Sequence, residues 1–351
     1  MHVDFLLVGQ GISGSFLYHE LVKAGYSVAV VDERRPNSAS MVASGVINPV
    51  TGRRIVKTWL IDEIIPAIRA SYSELSELFD INALQELSVI DFFTTPQMVL
   101  AFQQRFAEDK QYLSLPAEQQ QWKDQFNHDF GFGEITPAFV ANMQEIITNS
   151  RKRIAESGRL IDTGFDINRL VLQTDELRYE ELTASRLIFC DGISSATNPY
   201  FGMLPFGGNK GEAVIVEIEG LEPDHVFKKG FSLVPWKQNL FWLGSNYLWE
   251  FENDLPTPGY YRFAENWLRQ TLRMPFRIVE HLAAIRPATL ERRPFIGFHP
   301  VYPQLGIFNG MGTKGCSLAP FFAKQFVQQI KTGSGLYKEA DVDRFKRILS
   351  R

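Results

Sequence analysis

Three glycines near the start of the chain have the spacing of a phosphate-binding turn. Gly9, Gly11 and Gly14 follow Val3–Val8, an apolar run rich in strand-forming residues. In such a turn the first glycine permits a tight bend and the second lets a pyrophosphate approach the backbone. The third lets a helix pack closely against the preceding strand. The spacing therefore suggests a nucleotide site at this turn.

The segment after these glycines supplies the other parts of the same motif. A helical stretch begins with Ile12 and Ser13, whose free N–H groups would face the phosphates. The strand Val28–Val31 follows and ends in Asp32, where a carboxylate accepts hydrogen bonds from a ribose 2′-OH. Glu33 comes next, so either acid could fill this role. Together these parts predict a dinucleotide site; the alternative is that the glycines only form a tight turn.

Small residues and cations follow in the next loop. Ser44 and Gly45 would let the backbone lie flat against a large planar ligand. Arg53, Arg54 and Lys57 place three cations within five residues. These cations indicate either a solvated loop end or a contact with an anion.

The composition narrows the class of protein. The chain has 351 residues, 45% of them hydrophobic, which suffices for two domains or one large α/β unit. A net charge of −4 gives no basic surface for nucleic acid. Two cysteines exclude a disulfide scaffold, and six scattered histidines form no pair with metal-ligand spacing. Without a transmembrane run, or room for a signal peptide before the first strand, we expect a cytoplasmic enzyme that binds no metal.

The remaining sequence alternates predicted helices with predicted strands. Apolar periodicity predicts helices over Ile61–Leu78, Pro96–Phe106, Pro137–Ser157, Tyr260–Thr271 and Ser317–Ile330. Apolar runs predict strands over Ser88–Thr94, Phe130–Ile135, Arg159–Asp162, Arg186–Cys190, Lys210–Glu219 and Gly306–Asn309. Two hairpins are predicted, one from Ile167–Gln173 with Leu177–Leu182 and one from Phe231–Pro235 with Leu240–Ser245. The polar, glutamine-rich segment Leu113–His128 suggests a surface excursion.

The order of these elements predicts an α/β fold with two domains. We expect a discontinuous, Rossmann-like nucleotide-binding domain made of residues 1–85, 136–205 and 284–351. A mainly antiparallel-sheet substrate domain would then comprise residues 86–135 and 206–283.

The chain resembles the D-amino-acid oxidase superfamily of FAD-dependent oxidoreductases, and within it the glycine oxidase and monomeric sarcosine oxidase branch. The resemblance spans nearly the whole chain and is weakest across residues 88–132. The residues that carry it, besides the N-terminal glycines and Asp32, are Arg186–Gly192, Lys210–Glu212, Arg286–Thr289, Pro294–Gly297 and Gly310–Pro320.

The resemblance implies an FAD site built from both ends of the chain. The main chain at Ile167 would contact the adenine, and Ser44 and Gly45 lie where the family's loop crosses the pyrophosphate and flavin. Asp191 and Gly192, at the end of a predicted strand, are expected to contact the cofactor as well. The glycine-rich turn would direct N–H groups at the negative charge of reduced flavin, through Gly310, Gly312, Thr313, Lys314 and Gly315.

Three cations are candidates for a substrate carboxylate. Arg286 falls where glycine oxidase and D-amino-acid oxidase hold the carboxylate, and its planar fork matches two oxygens; the alternative is a structural salt bridge or turn cap. Lys314 lies near a carboxylate-binding lysine of sarcosine oxidases and could serve flavin or substrate; the alternative is a solvated turn lysine. Lys57 sits near a further carboxylate ligand, an arginine in those enzymes, but lacks the fork.

Four aromatic residues and the two cysteines could serve either packing or the site. Trp236, Trp242, Tyr247 and Trp249 could belong to the core or to a substrate cage. Sarcosine oxidases tether flavin through a C-terminal cysteine, and here only Cys316 follows Ala284. Its place at a helix start indicates packing, so we expect non-covalent FAD, and we expect Cys190 to be an inert buried thiol too. Those oxidases also place a lysine over the flavin, yet residues 241–263 contain none, which leaves the electron acceptor open.

The expected reaction is hydride transfer to flavin N5 from a carbon that bears an amine, in a small amino acid or secondary amine. Three alternatives remain. One is oxidation of a 2-hydroxy acid by FAD. Another is a tRNA-modification oxidoreductase, which the net negative charge of the chain disfavours. The last is a flavin-binding scaffold without turnover.

Overall fold

A computed structural model describes residues 1–116, 120–333 and 335–351. Up to residue 116 it contains β1 (His2–Val8), α1 (Ile12–Lys23), β2 (Val28–Val31), α2 (Ala39–Val42), β3 (Val46–Ile47), β4 (Val50–Thr51), β5 (Val56–Lys57), α3 (Ile61–Phe79), β6 (Leu84–Phe92), α4 (Pro96–Glu108) and β7 (Leu113–Ser114). The middle of the chain contains α5 (Gln120–Gln125), β8 (Phe132–Ala141), α6 (Met143–Glu156), β9 (Leu160–Ile161), β10 (Leu170–Leu172), β11 (Leu177–Tyr179), β12 (Leu182–Phe189), β13 (Asn209–Ile218), β14 (His225–Lys229), β15 (Phe231–Lys237) and β16 (Leu240–Gly244). The last part contains α7 (Pro258–Thr271), β17 (Phe276–Arg286), β18 (Phe295–Phe298), β19 (Leu305–Asn309), α8 (Gly315–Thr332) and α9 (Lys346–Leu349). Single 3-10 turns span Ile167–Arg169, Gly192–Thr197, Gly312–Lys314 and Val342–Phe345.

An eight-stranded sheet has the order β10-β11-β12-β1-β2-β9, with β19 paired to β12 and β18 paired to β19. Strand β1 runs parallel to β12 and to β2, and β19 runs parallel to β12. All four residues of β2 are buried, as expected of a central parallel strand covered on both faces. The carboxyl ends of β1, β2 and β12 therefore open at one edge, where doubly wound sheets bind nucleotides.

A nine-stranded sheet has the order β17-β13-β16-β15-β14-β6-β8-β3, with β7 paired to β8. Its pairs are antiparallel except for β14 with β6, which are parallel. One face carries Val89, Val234 and Trp242, which pack in the same core as helices α1, α3 and α8. The opposite face packs against α7 through residues such as Val214 and Leu243.

Helices α1, α3 and α8 hold the two sheets together. Phe16 of α1 packs edge-on against Tyr72 of α3, with ring centroids 5.3 Å apart. The Tyr72 hydroxyl, fully buried, donates to the Cys316 carbonyl at the start of α8 at 2.7 Å. This junction fixes the start of α8 beside the start of α1, which positions the site described below.

Most predicted elements are confirmed, including the predicted helices that correspond to α3, α4, α7 and α8, and the predicted hairpins that form β10–β11 and β15–β16. The α/β fold class is likewise confirmed. The two-domain boundaries stay a prediction. The eight-stranded sheet takes strands from residues 2–31, 160–189 and 295–309, and the nine-stranded sheet takes strands from residues 46–47, 84–141 and 209–286.

The predicted helix Pro137–Ser157 is wrong in its first part. Strand β8 continues to Ala141, because its residues from Ala138 onward pair with β6. The helix α6 begins only at Met143, after Asn142 caps it by accepting a hydrogen bond from the Glu145 N–H at 3.4 Å. Sheet pairing therefore overrides the helical periodicity of this stretch.

Two other expectations need correction. The segment Leu113–His128 is not merely a surface excursion, since Trp122 and Phe126 are buried and pack against Phe227; its residues 117–119 lie outside the described ranges. The long strand β17 is absent from the sequence predictions, because its exposed charged residues mask the strand pattern. Within the described ranges, none of the helices has the length and apolar character that a membrane span requires.

Candidate active site

One cavity of about 790 Å³ collects residues from both sheets and both chain ends. The sequence-predicted residues that line it are Gly9, Gly11, Ile12, Ser13, Asp32, Glu33, Ser44, Gly45, Asp191, Gly192, Arg286, Gly312, Thr313 and Gly315. The residues predicted to contact cofactor or substrate that do not line it are Gly14, Lys57, Ile167, Gly310 and Lys314. The sequence motifs, far apart along the chain, are thus brought together around one space.

The glycine turn is packed too tightly for larger residues. A Cβ on Gly14 would lie 2.0 Å from the Gly9 carbonyl oxygen, so this glycine lets α1 approach the turn. Gly9 itself has a φ of +97°, in the region that favours glycine. Gly11 supplies no capping side chain to α1, but the Ile12 N–H, which was expected to be free, donates to Ser40 Oγ at 2.9 Å. Among the described residues the Ser13 N–H has no such partner, so it is left for a ligand in the cavity.

Asp32 is held in place by a buried arginine. Its carboxylate accepts hydrogen bonds from the Gln10 N–H at 2.9 Å and from Arg151 Nη1 at 2.7 Å. Arg151, only 8% exposed, also pairs with Asp162 at 2.5 Å. Glu33, by contrast, pairs with Arg35 on the surface, so Asp32 is the acid fixed at the strand end.

Sequence reasoning missed Arg151, although a signal was present. Ile147, Arg151 and Ile154 recur at the spacing of one helical face, and both isoleucines are buried. An arginine within such an apolar face indicates a buried partner, which proves to be Asp32.

The segment near Ile167 lines the cavity through residues that precede Ile167 in the sequence. Gly164 and Phe165 line the cavity, whereas Ile167 opens a 3-10 turn outside it. The Phe165 ring stacks on Tyr179, which anchors the segment at that point. The residues of this region that reach the cavity therefore lie two and three positions before the predicted one.

Asp191 connects the end of β12 to the end of β19. Its carboxylate accepts hydrogen bonds from the Ser195 hydroxyl and from Asn309 Nδ2 at 3.2 Å. Burial raises the pKa of Asp191 to about 6, and these hydrogen bonds only partly oppose that shift. Asn309 also donates to the Gly192 carbonyl at 2.8 Å, so this amide fixes the whole corner.

The C-terminal turn brings a second helix start to the cavity. Gly312, Thr313 and Gly315 line it, and α8 begins at Gly315 without a capping side chain. A Cβ on Gly315 would lie 2.9 Å from Ile12 Cγ2, so the starts of α8 and α1 are in contact. Gly310 supports the turn from outside, with a φ of +76°.

Lys314 lies outside the cavity lining among other cations. Burial, with Arg293 and Arg292 nearby, lowers the pKa of Lys314. Within the described residues, no carboxylate forms an ion pair with Lys314. The structure thus places this lysine behind the turn rather than on the cavity wall.

Arg286 projects over the strand β13 at one end of the cavity. Its Nη1 donates to Asn209 Oδ1 at 2.7 Å and its Nη2 donates to Ser245 Oγ at 2.5 Å. The guanidinium lies 4.7 Å from the centre of the Tyr247 ring. A Cβ on Gly211 would lie 1.8 Å from Nη2, so only glycine leaves room for this arginine.

The partners of Arg286 are all neutral. None of the ion pairs found within residues 1–116, 120–333 and 335–351 includes Arg286. Burial lowers its pKa, yet a guanidinium stays protonated in proteins. A half-buried positive charge without a counter-charge therefore faces the cavity.

The other predicted residues divide between the cavity, the core and the surface, and Trp236 is packed against the core. Trp242 and Tyr247 line the cavity, whereas Trp249 is exposed. Lys57 forms ion pairs with Asp109 at 2.9 Å and Asp62 at 3.6 Å, so it is engaged on the surface.

Both cysteines are free and buried at the cavity wall. Burial raises the pKa of the Cys316 thiol to about 12 and raises that of Cys190 strongly. Across the part of the chain that the structure describes, no three His, Cys, Asp or Glu side chains are grouped as a metal site.

Comparison with known proteins identifies a family and related folds. The family model DAO, described as FAD dependent oxidoreductase, matches residues 4–329. Glycine oxidase from Bacillus cereus ATCC 14579 superposes with a TM-score of 0.76 at 16% identity, covering 95% of this chain and 96% of that one. Iminodiacetate oxidase from Chelativorans sp. BNC1 superposes with a TM-score of 0.75 at 17% identity, covering 96% of this chain and 98% of that one. L-proline dehydrogenase from P. horikoshii gives 0.76 at 15% identity, with 98% of each chain covered.

Proposed function

Because the chain belongs to the DAO family of FAD dependent oxidoreductases, we propose that it oxidises the C–N bond of a small amino acid or secondary amine. Bound FAD supplies the hydride acceptor, flavin N5. The observation that carries the proposal is Arg286, a cation without a counter-charge at one end of the cavity. A substrate carboxylate would complete its coordination.

The residues at the two helix starts fit this cofactor. The Ser13 N–H would bind the pyrophosphate at the start of α1, where the Ile12 N–H already donates to Ser40 Oγ, and Asp32 would accept the ribose hydroxyls. The backbone of Ser44 and Gly45 would lie against the ring system. Gly312 and Gly315, at the start of α8, would direct N–H groups and the helix dipole at negative charge on the flavin.

We expect the cofactor to be held without a covalent bond. The Cys316 thiol donates to the Val46 carbonyl at 3.4 Å, and its pKa of about 12 keeps it protonated near neutral pH. A thiol in that state is a poor nucleophile toward a flavin ring. Asp191 and Gly192 would contact the cofactor beside the glycine turn, because a Cβ on Gly9 would lie 2.9 Å from Asp191 Cα.

Arg286 would orient the substrate rather than take part in proton transfer. Its hydrogen bonds to Asn209 and Ser245 fix the guanidinium plane, so a carboxylate has one preferred direction. Anchoring one end of a small substrate limits the orientations of the C–H bond, which is worth several kcal/mol of the barrier. Lys314 would add a positive charge behind the turn.

The choice between an amine and a 2-hydroxy acid depends on proton transfer. A neutral amine needs no base, whereas a hydroxyl group must lose its proton as hydride leaves. No histidine is found among the described residues that line the cavity. The carboxylates of Asp191 and Glu212 also line the cavity, but both already accept hydrogen bonds from the protein. We therefore place the amine first and oxidation of a 2-hydroxy acid second.

The experiment is a substrate screen under anaerobic conditions. FAD-loaded protein is mixed with matched pairs, such as glycine and glycolate or alanine and lactate, together with sarcosine and proline. We expect the absorbance of oxidised flavin to be lost with amines only. Loss with hydroxy acids only would replace the proposal by the second candidate, and retention with every compound would indicate a scaffold without turnover.

A further inference from the structure

A lysine lies at the end of the cavity remote from Arg286. Lys228 of β14 lines the cavity, and its neighbour on β15 in the sheet register is Ser232. Ser232 in turn pairs with Gly244 of β16, and Gly244 pairs with Ala213 of β13. These four residues form one row across the sheet face that carries Arg286, and all of them line the cavity.

A buried carboxylate holds this lysine. Lys228 Nζ lies 2.6 Å from Asp91 Oδ2, and Asp91 is completely buried next to it in the register. An ammonium group has three donors. Among the described residues only Asp91 accepts from Lys228, so its other donors remain for a ligand.

The floor between the two cations is flat and largely apolar. The Trp242 indole covers Gly244, where a Cβ would lie 2.5 Å from the ring. Its Nε1 donates to the Val42 carbonyl at 3.0 Å, which fixes the ring. Ser232, the next residue in the row, has a small side chain, so space above the indole continues to Lys228.

We propose that Lys228 is a specificity-determining residue that binds a second carboxylate of the substrate, at the end opposite the carboxylate held by Arg286. This inference rests on the proposed function, since it deepens the description of the same cavity. The substrate is then an amino or imino dicarboxylic acid whose apolar middle lies over Trp242. Asp91 acts as a positioning residue that keeps the ammonium at the cavity wall.

The sheet geometry sets the length of this substrate. The Arg286 guanidinium lies over Gly211 of β13, and Lys228 lies three strands away in the order β13-β16-β15-β14. Neighbouring strands are about 4.8 Å apart, and Gly211 lies two residues along β13 from the row of Lys228, so the two backbone positions are roughly 16 Å apart. The long side chains shorten that span. A two-carbon acid such as glycine would reach only one of the cations.

The test measures binding of non-reacting acids to FAD-loaded protein by calorimetry and by the shift of the flavin absorption band. The probes are glutarate, adipate and pimelate, each compared with the monocarboxylate of equal carbon number. At the best length we expect the dicarboxylate to bind about tenfold more tightly or better, because a charged hydrogen bond is worth about 1.5–3 kcal/mol. Equal affinities at every length, or no dicarboxylate binding, would overturn the proposal.

Two variants assign the effect to the lysine. Lys228→Met should abolish the preference for dicarboxylates and leave monocarboxylate affinity unchanged. The matched control is Lys229→Met, because Lys229 donates to the Asn127 carbonyl and does not line the cavity. If Lys228→Met fails to fold, the double variant Asp91→Asn with Lys228→Met removes both buried charges together. A preference that survives in either variant would contradict the role of Lys228.

The outcome is separable from that of the proposed function. If amines bleach the flavin but Lys228→Met changes no affinity, the further inference alone fails. If the dicarboxylate preference depends on Lys228 but no amine bleaches the flavin, the proposed reaction fails while the binding site stands.

Discussion

Charged residues around the cavity differ in whether the protein itself neutralises them. Asp32 is paired with Arg151, and Lys228 with Asp91. Arg286 has only neutral partners, although burying a charge without a counter-charge is costly. We therefore assign Arg286 to the carboxylate that every substrate carries, whereas Lys228 keeps free donors for a second one.

Replacing Arg286 by alanine should remove that ligand's anchor. We expect Arg286→Ala to lower kcat/KM for amino acids about 30-fold or more, since losing one partner of a buried charge pair costs about 2–5 kcal/mol. FAD content should not change. Steady-state kinetics and flavin absorbance measure both quantities.

Arg277→Ala is the matched control for this substitution. Arg277 lies on the same strand β17 but is exposed and pairs with Glu217 on the surface. The control should keep its activity. Equal losses in both variants, or unchanged kinetics in Arg286→Ala, would remove Arg286 from the site.

Asp191 should make the stability of the apoprotein depend on pH. Its folded-state pKa of about 6 lies above the usual value of 3.8, so the folded state holds the proton more tightly than the unfolded state. The contribution of Asp191 to the free energy of unfolding is therefore greatest below about pH 4, and it is lost as the pH rises through about 6. Asp191→Asn cannot titrate at this position, so its unfolding free energy should not show this loss. Relative to the wild type, the variant should become more stable as the pH rises over this range, by no more than about 3 kcal/mol.

Chemical denaturation of both proteins at several pH values from about 4 to about 7 measures the difference in unfolding free energy. The difference should grow with pH and level off above the folded-state pKa. A constant difference would show that Asp191 titrates alike in both states.

At the scale of elements, the site depends on two helix starts that meet. Gly315 of α8 contacts Ile12 of α1, and the residue that precedes each helix supplies no capping side chain. The Ile12 N–H donates to Ser40, but both positive dipole ends face one cavity. Such an arrangement suits a cofactor with anionic groups at two separate places.

Gly14→Ala should separate α1 from the glycine turn. The new Cβ would lie 2.0 Å from the Gly9 oxygen, and backbone cannot move aside cheaply. We expect overpacking to lower the unfolding free energy by about 1–3 kcal/mol and to weaken FAD binding. Thermal denaturation and FAD titration measure the two effects.

Gly259→Ala provides a control in another first helical turn. Gly259 lies in α7, and the nearest atom to an added Cβ is Thr257 Oγ1 at 4.0 Å. This variant should bind FAD normally and should be stabilised, by up to about 1 kcal/mol. If the two variants behave alike, the close approach at Gly14 does not matter.

At the scale of the whole molecule, the cavity lies where the eight-stranded sheet meets one face of the nine-stranded sheet. The first sheet supplies the nucleotide end through the turns after β1, β2 and β12. The second supplies Arg286, Trp242 and Lys228 on three of its strands. Cofactor and substrate are thus assigned to different sheets, and the reaction to the space between them.

The sequence could predict those parts of the site whose residues lie close together along the chain. The turn from Gly9 to Gly14 and the acid Asp32 lie within one strand–helix–strand unit, so their spacing suffices. Arg286 came from family resemblance, not from spacing. The roles of Asn209 and Lys228 depend on the register of β13, β14 and β17, which no local pattern encodes.

The helix predicted from Pro137 failed for the same reason. Its first residues pair with β6, a strand far earlier in the chain, and that pairing outweighs local periodicity. Pairing between strands that are distant in sequence therefore explains both this wrong helix and why Asn209 and Lys228 were not predicted.

The most direct test of the account is an experimental structure of the FAD-loaded protein with acetate bound. We predict that the acetate carboxylate lies against the Arg286 guanidinium, with its methyl carbon facing the flavin ring. The pyrophosphate should lie at the start of α1. Acetate bound beside Lys314 instead, or a flavin ring out of reach of Arg286, would contradict the account.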